Sequence, residues 1–225
     1  MKKIFVLALV FLVSCGLNAQ RVAWITLSQS NAEPVITVFA NDAFINLSTD
    51  GNMLEYGVEY AQGRLYYFPG KLDKYMGRVE LYNDNANAAC KGKIRYIGAS
   101  SITYFSAEEN EKLAGKIKSI GNMFFEYYMP YDDATFAGKI KSAGRFEFNY
   151  CGNFDDEKLK GKIKSAGNIN IGYYGSFDDK ALRGKLKNVG QYNFTYYTSF
   201  DARYQGSMKS GFQTQLINGI KFIVR

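Results

Sequence analysis

Five heptapeptides recur at one interval: GKIRYIG at Gly92, GKIKSIG at Gly115, GKIKSAG at Gly138 and at Gly161, and GKLKNVG at Gly184, each 23 residues after the last. A fixed period of this length marks a repeat architecture, in which one unit cannot bury its apolar face alone and does so by stacking on its neighbours. The remainder of the unit keeps the same register. Tyr104, Tyr127, Tyr150, Tyr173 and Tyr196 form one column, and Ile102, Phe125, Phe148, Ile171 and Phe194 form another. Asp132-Asp133, Asp155-Asp156 and Asp178-Asp179 recur in a third place, with Phe200-Asp201 as a fading copy. The ends are irregular, as terminal repeats tend to be. A copy beginning at Tyr66 lacks eight residues before Gly92, and Gly206 follows Gly184 by 22, after which the pattern dissolves.

Each unit reads as two strands. In LAGKIKS, Leu113, Gly115 and Ile117 fall on one face and Lys116 and Lys118 on the other, the period-two pattern of a half-buried strand. In MFFEYY, Met123, Phe125 and Tyr127 oppose Phe124, Glu126 and Tyr128. Ser-x-Gly between the strands and aromatic-Asp-Asp after them are turn chemistry, because Gly accepts positive φ and Asp caps the local backbone. Upstream, strand-like runs start at Val22, Pro34, Ala43 and Met53. Downstream, Asn218-Gly219 between QLI and IKFIV signals a type I′ hairpin. The chain is therefore expected to be all-β, organised as residues 1–19, an N-terminal strand region 20–65 capping the array, a repeat array 66–211, and a C-terminal hairpin 212–225.

Two architectures accept a two-strand unit. A parallel β-solenoid would stack Lys116, Lys139, Lys162 and Lys185, and likewise the Asp pairs, about 4.8 Å apart, whereas an antiparallel meander of hairpins doubles that distance. Like-charge repulsion favours the elongated antiparallel β-meander. A 23-residue hairpin with an aromatic-or-Leu-x-Gly start and a later Gly, from Gly92 to Gly190, resembles the MORN repeat. That resemblance implies an elongated antiparallel sheet serving as a membrane-associated or scaffolding platform. The family usually has Tyr where this chain has Leu113, Phe136, Leu159 and Leu182, and no functional residue carries over.

The N-terminus sets the expected compartment. Lys2-Lys3, the apolar run Ile4 to Val13 and the small-residue stretch ending at Ala19-Gln20 have the three regions of a secretory signal, with cleavage expected after Ala19. A secreted or periplasmic protein of a bacterial envelope follows. The alternative is an outer-membrane lipoprotein, because Leu12-Val13-Ser14-Cys15 resembles a lipobox whose Cys15 would be acylated; a membrane enters only in that case. Export invites a disulfide between Cys90 and Cys151. Their columns lie on different strands several strands apart, so no bond is expected.

With no His in the chain, His-based nucleophile arrangements, His metal sites and His proton shuttles are unavailable. Residues that recur every 23 positions are structural or multivalent rather than catalytic, which sets aside the Asp pairs as turn caps. No catalytic residue, metal ligand or cofactor is assigned. The candidate binding surface is a repeated polar face of Lys116, Lys118, Lys139, Lys141, Lys162, Lys164, Lys185 and Lys187 with Tyr128, Tyr174 and Tyr197. Its expected partner is an anionic polysaccharide or envelope polymer held by multivalency, not nucleic acid. The expected function is a non-enzymatic structural or binding platform; the alternative is a carbohydrate-active or calcium-dependent surface enzyme. The oligomeric state is left open.

Overall fold

The computed structural model describes residues 20–29, 33–60 and 68–225. The expected signal sequence, Cys15 and the start of the irregular copy at Tyr66 lie outside the described residues. Five strands come first: β1 (Arg21–Leu27), β2 (Val35–Ala40), β3 (Ala43–Ser48), β4 (Met53–Glu59) and β5 (Leu72–Lys74). The array follows as β6 (Val79–Leu81), β7 (Ile94–Ile97), β8 (Ser100–Tyr104), β9 (Ile117–Ile120), β10 (Met123–Tyr127), β11 (Ile140–Ala143), β12 (Phe146–Tyr150), β13 (Ile163–Ala166), β14 (Ile169–Tyr173), β15 (Leu186–Val189) and β16 (Tyr192–Asn193). After a break at Phe194 come β17 (Thr195–Tyr196) and β18 (Met208–Ser210), which pair with each other, then the hairpin β19 (Thr214–Ile217) and β20 (Ile220–Val224).

The array is an antiparallel meander: β6 to β16 lie side by side in chain order as one eleven-stranded sheet, not closed into a barrel. Within each unit the two strands are joined by a two-residue turn whose first residue is glycine at positive φ, as at Gly121 (φ 54°) between Ile120 and Met123. A side chain is strained there, which is why Gly keeps its place in every copy. Between units the chain needs a longer connection. The first Asp of each pair caps it, Asp155 accepting from the Gly152 amide at 2.8 Å and Asp178 from the Gly175 amide at 2.6 Å.

The N- and C-terminal segments build a second sheet, ordered β19-β20-β1-β2-β3-β4-β5, in which β1 and β20 pair in parallel. Its inner face carries Ile25, Leu27, Ile36, Val38, Ile45 and Leu47. These join Ile97, Ile102, Ile117, Phe125, Ile140, Phe148, Ile163 and Phe194 of the array in one buried core, so the molecule is a two-layer sandwich. The β3–β4 turn ties the layers at one margin: Thr49 and Gly51 carbonyls accept from the Ile140 and Ile117 amides at 2.7 and 3.3 Å. Contact is close enough that a β-carbon at Gly51 would lie 2.1 Å from the Tyr127 hydroxyl. At the opposite margin Asn41 donates to Ser100 at 2.8 Å and Asn218 to Asn168 at 3.3 Å.

The tyrosine column is inside, with the Phe125 column. Tyr104, Tyr127 and Tyr150 donate to the carbonyls of Ile94, Ile117 and Ile140, at 3.0, 2.6 and 2.9 Å, each ten residues back. One bond therefore locks the second strand of a unit to its first while the ring fills the core. Tyr196 breaks the pattern: its hydroxyl is buried with no partner among the described residues, and burial pushes its pKa up to about 12. Removing a satisfied hydroxyl costs about 0.5–1.5 kcal/mol, whereas removing an unsatisfied one is neutral or stabilising. Tyr127→Phe is thus expected to lower stability by about 1 kcal/mol and Tyr196→Phe to leave it unchanged or raise it. Paired urea melts read the difference; equal losses would refute this account of the two hydroxyls.

Candidate functional site

Where each second strand meets the next unit, the ladder slips by one residue. Tyr127 pairs with Ile140 and Glu126 with Ser142, leaving Lys141 as an extra residue, a β-bulge. The same slip recurs at Arg95, Lys118, Lys164, Lys187 and Lys209. A bulge re-aims side chains, and this one corrects the simple alternation read from LAGKIKS: Lys116 and Lys118 do not form a common face, and the eight lysines divide into two columns.

The first column is Lys116, Lys139, Lys162 and Lys185, with Lys93 before it. These residues turn to the margin between the sheets, their ammonium groups 5.0 to 5.8 Å from the rings of Tyr127, Tyr150, Tyr173, Tyr196 and Tyr104. Lys116 donates to the carbonyls of Asp50 and Gly138 at 2.8 and 2.9 Å, and Lys139 lies 3.3 Å from Glu33 and 3.6 Å from Asp50. Burial lowers the pKa of Lys116 and of Lys162. Lys139 and Lys162, with Lys158 and Lys160, line a cleft of about 410 Å³ beside Glu33 and Thr135.

The second column is Lys118, Lys141, Lys164 and Lys187, which Arg95 and Lys209 extend at its two ends. All but Lys164 lie over a ring 12 or 13 positions earlier in the chain: Arg95 over Tyr82, Lys118 over Phe105, Lys141 over Tyr128, Lys187 over Tyr174, and Lys209 over Tyr197 at 4.5 Å. Lys164 stands in the same place by Cys151, where there is no ring. Carboxylates neutralise alternate members: Lys118 pairs with Glu109, Lys164 with Asp155 at 2.8 Å, and Lys209 with Asp201 at 3.9 Å. Lys141 and Lys187 have no carboxylate within 4 Å among the described residues.

Tyr128, Tyr174 and Tyr197 are half-buried beneath these lysines. Tyr128 donates to the Phe148 carbonyl and to Asn149, both at 3.0 Å, and Tyr174 to the Phe194 carbonyl at 2.9 Å. Their rings pack edge-on against Tyr150 and Tyr196 at 6.0 Å. They serve mainly to join one unit to the next and support the lysines from below. The outward positions of the second strand, which vary as Thr103, Glu126, Asn149, Gly172 and Thr195, each face a polar residue of the following strand. Thr103 meets Ser119 at 2.7 Å, Glu126 meets Ser142 at 3.3 Å and Asn149 meets Ser165 at 2.9 Å. Opposite Gly172 stands Asn188, whose side-chain oxygen lies 2.2 Å from where a β-carbon would be, so the larger partner takes the space.

The second Asp of each pair joins successive loops. Asp133 accepts from the Asn153 amide, Asp156 from the Ser176 amide and hydroxyl, and Asp179 from the Ser199 amide and hydroxyl. These bonds hold all three carboxyls below the usual carboxylate range, the Asn153 amide leading for Asp133 and the serine hydroxyls for the other two. A depressed pKa contributes stability that is present above the unfolded value, near 4, and lost as pH falls through the folded one. The melting temperature should therefore fall as pH drops below about 4. An Asp133→Asn, Asp156→Asn, Asp179→Asn triple variant should show a shallower fall; an unaltered acid limb would count against the staples.

Cys90 and Cys151 are buried free thiols, and burial pushes the Cys151 thiol up to about 11, away from reactivity. Sequence reasoning omitted Arg95 and Lys209 from the basic column, although extending the count past the regular copies reaches both. It could not separate the two columns, because a bulge leaves no mark in the residue types. Among the described residues no helix is long and apolar enough to cross a membrane. Comparisons with protein-family models, curated proteins and solved structures return no match, so the repeat geometry itself carries the functional reading.

Proposed function

We propose that the protein is a non-enzymatic β-repeat platform, exported to the bacterial envelope, whose array face binds an anionic glycan or envelope polymer. The observation that carries this reading is the column of six basic residues on six successive bulges, Arg95 to Lys209. Adjacent units in such a sheet lie about 9.5 Å apart. The column therefore offers a polyanion a row of charges at regular intervals on a rigid sheet, with no ordering cost beyond the side chains. Arg95, Lys141 and Lys187, with aromatic rings beneath and no carboxylate within 4 Å among the described residues, are the strongest points of that row.

Lipopolysaccharide and polygalacturonate are suitable probes, measured at low and at physiological salt. Binding should weaken steeply as salt rises, since exposed charges are screened within about 10 Å at 0.1 M. Lys141→Glu with Lys187→Glu should reduce affinity by roughly tenfold or more, while Lys118→Glu with Lys164→Glu, whose parents are already neutralised, should reduce it less. If the first pair of reversals binds both probes as well as the parent, the column is a solvated face. Mass spectrometry of the exported form separates a chain starting at Gln20 from one carrying a diacylglyceryl group on Cys15.

A further inference from the structure

Tyr131, Phe154, Phe177 and Phe200 stand at the tips of four successive inter-unit loops, one every 23 residues. Their exposures are 84%, 106%, 104% and 92% of the full side-chain value. Among the described residues none of the four rings packs on another ring or under a cation. Elsewhere the apolar columns of the repeat are inside. These rings contribute nothing to the core, yet the column stays aromatic through four units, and an exposed apolar row is the kind of surface that marks a binding site.

The tips are also held still. The residue before each phenylalanine is bonded to the preceding unit: Asn153 to Asp133 at 3.0 Å, Ser176 to Asp156 at 2.6 Å and Ser199 to Asp179 at 2.9 Å. The residue after it caps its own loop, as Asp155 does for Gly152, Asp178 for Gly175 and Asp201 for Thr198, at 2.6 to 2.8 Å. Each phenylalanine therefore projects from a turn pinned on both sides, and Tyr131 from one capped by Asp132, which accepts from the Met129 amide at 2.7 Å; the interval, about 9.5 Å, is set by the two strands of a unit. Such a pre-organised row loses little side-chain freedom on binding.

We propose that these four rings are a stacking ladder for an extended, uncharged β-1,4-linked polysaccharide. A polymer that meets all four must present flat apolar faces at the same interval, and a β-1,4-linked chain in its extended two-fold form turns the same face outward every second sugar. Its hydroxyl groups find acceptors in the aspartates beside each ring. The four loops, residues 129–137, 152–160, 175–183 and 198–205, carry eight carboxylates against five basic side chains. That balance disfavours an anionic polymer or an anionic bilayer on this edge and separates it from the basic column of the sheet face.

The test uses the mature full-length chain and isothermal titration with cellohexaose and chitohexaose, whose three two-sugar repeats present the same face three times, enough to meet three of the four rings. At least one hexamer should bind, roughly tenfold or more tighter than its dimer, because only the hexamer engages several rings. Maltohexaose, which coils, should not bind. Phe154→Ala with Phe177→Ala should cut hexamer affinity by roughly tenfold or more without moving the melting temperature, since neither ring is packed. Lys141→Glu with Lys187→Glu should leave it unchanged, so this ladder and the basic column stand or fall separately. Failure of both hexamers to bind, or equal binding by the double phenylalanine variant, overturns the proposal. It is equally overturned if that variant instead abolishes self-association in sedimentation or flotation with phosphatidylcholine vesicles.

Discussion

A chain ending at Ser210, and so lacking β19 and β20, is expected not to reach the native fold. β20 is an interior strand of the second sheet, paired with β1 on one side and β19 on the other. It places Phe222, Ile223 and Val224 in the interior, and Ile217 of β19 is buried beside them. Four such side chains at about 1.5–3 kcal/mol each amount to roughly 6–12 kcal/mol. That equals the whole stability of an ordinary domain, about 5–15 kcal/mol. The loss would also leave β1 as an unprotected apolar edge. Circular dichroism melts decide the matter, with the exposed Leu216→Ala as a control that should move stability by less than about 0.5 kcal/mol. A truncated chain that still melts cooperatively near the parent temperature would show that the array folds without its cover.

The second large effect is expected at Tyr150. Its ring is buried in the array core against Phe136 and Tyr128, both at 6.0 Å, and its hydroxyl donates to the Ile140 carbonyl at 2.9 Å. Tyr150→Ala removes the packing and leaves a cavity, at a cost of about 3–5 kcal/mol. Tyr150→Phe isolates the hydroxyl and should cost about 1 kcal/mol. On the outer face Lys141→Ala loses only an exposed contact over Tyr128, about 0.5–1 kcal/mol at most. Chemical denaturation of the three variants orders them, and equal effects from Tyr150→Ala and Lys141→Ala would mean that the inner and outer faces are exchanged.

Much of the array was legible because its rules are local. Alternation along MFFEYY puts Phe125 and Tyr127 inside, and Gly121 and its copies mark every hairpin. Asn218-Gly219 adopts positive φ at both residues, 46° and 82°, as a type I′ turn requires. The aspartates of each pair cap and staple the loops, as turn chemistry suggested. The candidate binding face was only half legible. Lys116 and Lys118 are two residues apart and look equivalent, yet the bulge sends one to the sheet margin and leaves the other on the outer face. Tyr128, Tyr174 and Tyr197, taken as contact residues, spend much of their surface joining units.

The sequence by itself determined the period of 23 and the two-strand unit, favoured the antiparallel meander over a solenoid, and marked the buried side of each second strand. All of these follow from the two-residue repeat of a strand and from glycine and aspartate in turns, which act within a few positions along the chain. Tertiary structure alone decided that the two ends of the chain combine into one sheet, β1 pairing in parallel with β20, and that this sheet covers the inner face of the array. Such pairing depends on which apolar strands the array leaves unpaired, a property of the whole chain. The bulges too appear only in the folded sheet. Each is a feature of how one unit pairs with the next, and at two of the six the Ile117 and Ile140 amides meet the Gly51 and Thr49 carbonyls of the other sheet, so the side a lysine takes is decided by pairing and not by its residue type.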